Sequence, residues 1–137
     1  MDAFFFYGTL RTGQENSSLS VGASAVRPAT TRGLLFALPE GIPVLVDGDG
    51  VVLGELVEYE AASSGERLAA FDDLEGYTPG DLASCQYLRV RRAVGVDGEV
   101  VEAWVYVYPV ERLAEVRRSS VWIPHGDWVR FVKERSR

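Results

Sequence analysis

The stretch FDDLEGY, residues 71–77, sets three carboxylates, Asp72, Asp73 and Glu75, around one leucine and just before a glycine. Gly76 is the kind of residue that closes a helix, so Glu75 stands in the last turn, beside the carbonyl end. That end carries roughly half a negative charge, and a carboxylate there loses roughly 0.3–1 kcal/mol where a lysine would gain it. Asp72, three residues earlier, adds a like charge on the same helical face. Both influences favour the protonated acid and raise its pKa, and burial beneath aromatic strands would raise it further. A glutamate tuned upward can take up and return a proton near neutral pH. On the helix alone, an exposed and slightly unfavourable glutamate also satisfies the pattern.

The second candidate is YGTLRTG, residues 7–13. Gly8, directly after an aromatic strand, lets a backbone approach a ligand closely, and the N–H groups of Gly8, Thr9 and Leu10 could hold an anion or a carbonyl oxygen. A plain turn is the other reading. If the ligand reading holds, Gly8→Val should damage ligand binding more than stability. Other constellations are missing. With one histidine and one cysteine there is no His/Cys metal cluster, and His125, between Pro124 and Gly126, reads as structural or surface. No G-x-S-x-G elbow, P-loop or G-x-G-x-x-G occurs, and Cys85 would need a nearby base or positive surroundings to act as a nucleophile. The DGDG at 47–50 lacks the remaining ligands of a calcium loop and reads as a hairpin turn.

The elements that must position these residues follow from composition and periodicity. The 137 residues, 47% of them apolar, suit one domain spanning 1–137 with a single core. A net charge of -6 argues against a protein that grips phosphate backbones, and the basic tail Arg130, Lys133, Arg135, Arg137 reads as a solvated helix face. One cysteine fits a reducing compartment, the start has no positive region before its short apolar run, and no run approaches the length of a membrane span. The expectation is a soluble, cytoplasmic protein without nucleic-acid or membrane partners.

Residues 3–7 read as a buried strand stopping at Gly8, and RTGQENSS as a loop or helix entry. GLLFAL (33–38) and PVLV (43–46) read as short strands around the turn PEG, with VVLGELVEY (51–59) as the returning strand. Residues 63–77 read as the clearest helix: Ser63 and Glu66 have capping-box spacing, Leu68, Phe71 and Leu74 recur every three, and Gly76 ends it. YLRVRRAV (87–94) alternates, and Asp97-Gly98 joins it to VVEAWVYVY (100–108) as a hairpin. That last strand puts Val101, Ala103, Val105 and Val107 on one face and Trp104, Tyr106 and Tyr108 on the other. Asp127 reads as a cap for a short closing helix carrying Trp128, Phe131 and Val132. Both sheet faces need cover, which predicts an α+β fold: a small mixed β-sheet curled into a barrel, with flanking helices.

YGTLR, GIPVLV, GELVEY, LEGY, YLR, AWVYVY and a GDW segment, in that order over nearly the whole chain, resemble the gamma-glutamylcyclotransferase-like (AIG2-like) family. YGTL followed some 65 residues later by LEGY and then Y-x-R is the more specific combination. The resemblance implies the same barrel fold, a substrate-binding loop at Tyr7, Gly8, Thr9 and Leu10, and Glu75 as the acid/base catalyst. It also implies conversion of a small γ-glutamyl substrate to 5-oxoproline and free amine. The substrate's own α-amino group attacks in that reaction, so no metal or cofactor is expected. Tyr106 and Tyr108 either line the pocket or pack within the sheet, and Tyr106 is taken as a substrate-binding candidate. The rival expectation is a non-catalytic domain that binds a γ-glutamyl or amino-acid-like ligand in the same pocket.

Overall fold

A computed structural model of the chain describes residues 2–8, 10–11, 22–77 and 87–135. Three of the sequence readings, at Thr9, at Cys85 and over most of RTGQENSS, lie outside the described residues. Strand β1 (Asp2–Phe6) is followed by β2 (Ala25–Ala37), β3 (Pro43–Tyr59) and helix α1 (Ala61–Glu75). The hairpin β4 (Leu88–Val96) and β5 (Glu99–Val107) comes next, then a 3-10 turn (Val110–Arg112), α2 (Leu113–Ser119), the short β6 (Val121–Trp122) and α3 (Trp128–Arg135). The strands run β3-β1-β5-β4-β2, and β2 pairs again with β3, so the sheet closes on itself and β6 hangs from the end of β2. The β1–β5 pairing is parallel and the others are antiparallel. This is the α+β fold with a mixed sheet curled into a barrel that the covered strand faces predict.

Alternation along the strands divides the aromatic residues between two cores. Phe5 and Tyr7 join Leu35, Leu45, Val52, Leu56, Val94 and Val105, a cluster to which all five barrel strands contribute and which fills the barrel. Phe4 and Phe6 face the other way, with Val57, Tyr59 and Tyr106, beneath α1 and α2. Phe71 of α1 plugs into that outer layer, its ring centroid 5.0 Å from those of both Phe4 and Phe6 and 5.9 Å from that of Tyr59. Burying such a ring contributes roughly 2–3 kcal/mol, and each well-set aromatic pair about 0.5–1.5 kcal/mol more. The end of α1 is therefore nailed to β1.

The structure corrects three local readings. DGDG is not a hairpin turn; it lies inside β3, which runs unbroken from Pro43 to Tyr59. Leu34 opposes Val46 and Arg32 opposes Val51, so residues 47–50 bulge across from Gly33 alone. The glycines serve close approach: a side chain at Gly48 would run into Leu34, and one at Gly50 would come 2.7 Å from the Gly33 carbonyl oxygen. Helix α1 starts at Ala61 with Glu60 as its cap residue and no side-chain cap bond, so Ser63 lies within the helix and does not cap it. The inward stripe is also different. Leu74 is exposed, and the residues turned toward the protein are Leu68, Phe71, Asp72 and Glu75. Gly76 does end the helix, in the left-handed region at φ 68°, with the Gly76 and Tyr77 N–H groups donating to the carbonyls of Asp73 and Asp72.

Candidate active site

Glu75 sits one helical turn beyond Phe71, on the same face, so anchoring that ring carries the carboxylate in against the sheet. It is half-buried, and its charge is felt by the phenols of Tyr7, Tyr87 and Tyr106. Each of those hydroxyls is already engaged. Tyr7 donates to the Tyr106 carbonyl at 2.6 Å, Tyr87 to the Pro43 carbonyl at 2.6 Å, and Tyr106 to Asp72 Oδ1 at 2.6 Å. Among the described residues none donates a hydrogen bond to Glu75. Desolvation thus goes uncompensated and raises its pKa from 4.5 to about 7. Burial likewise raises all three tyrosines, with the Glu75 charge adding to it, so they are neutral phenols at neutral pH.

The direction of the Glu75 shift agrees with the sequence reading, and of the causes given there burial carries it. Asp72 is not a bare neighbouring charge: Arg89 Nη1 meets its Oδ2 at 2.6 Å, and both side chains are largely shielded. The guanidinium in turn lies over the rings of Trp104 (4.7 Å) and Tyr77 (5.1 Å). Asp72, Arg89 and Tyr106 therefore lock the last turn of α1 to the β4–β5 hairpin and hold Glu75 in register.

A raised carboxyl pKa has a thermodynamic sign that can be tested. The folded state keeps its proton to about pH 7 while the unfolded chain loses it near 4.5, so stability falls as pH rises through that window. Glu75→Gln removes the penalty. The variant should equal the parent below the window and exceed it above, by at most roughly 3 kcal/mol for a shift of this size. Denaturant unfolding of both proteins across the window measures the difference; a constant difference would mean that Glu75 is not desolvated.

The turn after β1 closes with the Arg11 N–H on the Gly8 carbonyl at 3.0 Å. Here the structure changes the expected effect of Gly8→Val. A Cβ built on it would stand 2.5 Å from Cγ of Pro43, a buried ring whose carbonyl already holds Tyr87, so protein fills the space beside Gly8. Leu10 is 3% exposed and belongs to the outer core with Phe71, Tyr87 and Tyr106. Glu75, Tyr7 and Tyr106 are brought together; Gly8 and Leu10 frame them through packing. Sequence reasoning names Tyr87 and Arg89 only as the Y-x-R of the family motif, without a role, and misses Pro43, although alternation along 87–94 sets Tyr87 and Arg89 on one face. Among the described residues no group of three or more His, Cys, Asp or Glu is arranged to hold a metal ion, and no helix is long and apolar enough to cross a membrane.

Residues 4–130 match the family described as gamma-glutamyl cyclotransferase, AIG2-like, and the chain belongs to it. Among solved structures it is similar to an AIG2-like protein from Mus musculus, at 27% identity and TM-score 0.67, over 93% of this chain and 88% of that one. An uncharacterized protein from Pyrococcus horikoshii is similar at 19% identity and TM-score 0.67, over 99% and 97% of the two chains. YkqA from Bacillus subtilis is similar at 24% identity and TM-score 0.66; 93% of this chain is covered, and it spans 39% of YkqA. The last two likenesses establish the fold alone. No curated protein matches the sequence.

Proposed function

We propose that the protein cyclises the γ-glutamyl group of a γ-glutamyl amine or peptide to 5-oxoproline and releases the amine, with Glu75 as the general acid/base. The observation that carries this reading is a shielded carboxylate with no described donor, its pKa raised by burial to about 7, among tyrosines whose hydroxyl protons all go elsewhere. Such a group is a competent base near neutral pH and a competent acid once it has taken a proton. Membership of the cyclotransferase family supports the reaction class.

In this reaction the bond that forms joins the substrate's α-nitrogen to the carbon of its γ-carbonyl group, closing a five-membered ring, and the bond that breaks joins that carbonyl carbon to the leaving nitrogen. Glu75 removes a proton from the α-ammonium group and returns one to the leaving nitrogen, so the carboxyl ends as it began. The protein's other task is to hold the chain folded back on itself, an orientation effect. Backbone N–H groups of Gly8, Thr9 and Leu10 hold the substrate carboxylate or the developing oxyanion. Tyr7 walls the pocket, and Tyr106 sets that wall, holding Tyr7 by its carbonyl and Asp72 by its hydroxyl. Incubation with a panel of γ-glutamyl dipeptides, glutathione, γ-glutamyl-lysine and γ-glutamyl-polyamines, read by mass spectrometry, should reveal 5-oxoproline from at least one. A panel that binds but releases none would favour a ligand-binding domain.

A further inference from the structure

Arg11 closes the turn after β1 with its backbone and leaves that turn with its side chain. Its Nη1 meets Asp127 Oδ1 at 2.8 Å across 116 positions of sequence, and the two side chains are only 15% and 23% exposed. Asp127 stands on a firm base. Its Oδ1 also accepts from the N–H groups of Val129 (3.1 Å) and Arg130 (3.4 Å), capping α3, and its own N–H donates to His125 Nδ1 at 3.2 Å. The preceding Gly126 carbonyl accepts from the Leu53 N–H on β3, and the following Trp128 is buried in the barrel core.

Stability alone does not account for this pair. A serine or asparagine would cap α3 as well as an aspartate, so the carboxylate charge matters chiefly to Arg11. Among the described residues Arg11 Nε is buried without a partner, which costs stability, and a shielded ion pair is often replaced by apolar residues without loss. What the pair does is tie Arg11, whose N–H closes on the Gly8 carbonyl, to the start of α3. We propose that Arg11 and Asp127 are positioning residues, a clamp through which the C-terminal helix holds the turn after β1 in the geometry that receives the ligand. The inference rests on the reading of that turn as part of the substrate site.

Asp127→Asn keeps the helix cap and removes the charge, Arg11→Met keeps the stem and removes the guanidinium, and Arg11→Lys keeps the charge. Amide hydrogen exchange, which needs no ligand, should quicken at Arg11, whose N–H donates to the Gly8 carbonyl, in the first two variants while Val129 and Arg130 stay protected. With the substrate identified by the γ-glutamyl panel, KM should rise about tenfold or more, as loss of one charge-assisted hydrogen bond implies, with kcat changed less. The double variant should be no worse than either single one, and Arg11→Lys should recover part of the loss. Unaltered exchange at Arg11 in both Arg11→Met and Asp127→Asn would overturn the clamp, whatever happens to the melting temperature. A parent protein that turns over no γ-glutamyl compound would remove the proposed reaction, and the exchange comparison would still decide the clamp.

Discussion

Glu75→Gln is expected to fold normally and to lose roughly a hundredfold to ten-thousandfold in kcat, the usual range for a general acid–base residue. Glutamine keeps the shape that packs beside Tyr7, Tyr87 and Tyr106 but cannot accept a proton, so substrate affinity should change little. The parent should also show kcat/KM rising with pH through an inflection near the Glu75 pKa of about 7, because the base must be unprotonated to begin the reaction. Steady-state rates across that range, with a melting curve to establish folding, make the comparison. A variant that keeps more than about a tenth of the parental rate would withdraw the general acid–base role from Glu75.

Gly8→Val should act mainly on stability. The Pro43 ring already occupies the side-chain space at Gly8, and it cannot swing aside cheaply because it is buried and its carbonyl holds Tyr87. Overpacking of this kind costs roughly 1–3 kcal/mol or more, which for a chain of this size lowers the melting temperature by several degrees. Gly8→Ala should do the same to a smaller degree, and Pro43→Ala in the Gly8→Ala background should restore part of the loss. Calorimetric melts of the four proteins test this. An unchanged melting temperature in Gly8→Val, with ligand affinity lost, would mean that the ligand and not Pro43 owns that space.

What could be read in the sequence was what short-range periodicity carries. The two faces of 100–108 separate as alternation requires, into barrel core and outer layer. The Asp97-Gly98 turn sets the β4–β5 register, and counting back from it lands Arg89 opposite Tyr106. Glu75 is legible as an ill-placed charge that burial would raise further, but the weight of burial over the other causes is not, because desolvation depends on parts of the chain brought together from far apart. DGDG misled for a related reason: the local signal for a turn is the same as the signal for a strand bulging around Leu34, and only the partner strand decides between them. Of Leu68, Phe71 and Leu74 only Leu74 departs from the inward stripe, because the last turn of α1 turns Asp72 and Glu75 inward in its place. Arg89 and Arg11 find their carboxylates 17 and 116 positions away, and no pattern within a window reports such pairs.

The proposed cyclisation is tested most directly by the fate of a γ-glutamyl compound whose α-amine has been acetylated, compared with the same compound carrying a free amine. An amide nitrogen is a poor nucleophile and has no ammonium proton for Glu75 to remove, whereas attack by water would not depend on that nitrogen. With product identity read by mass spectrometry, the free-amine compound should yield 5-oxoproline and the released amine, and the acetylated one should stay intact. Glutamate as the main product of the first, or sustained cleavage of the second, would contradict the account.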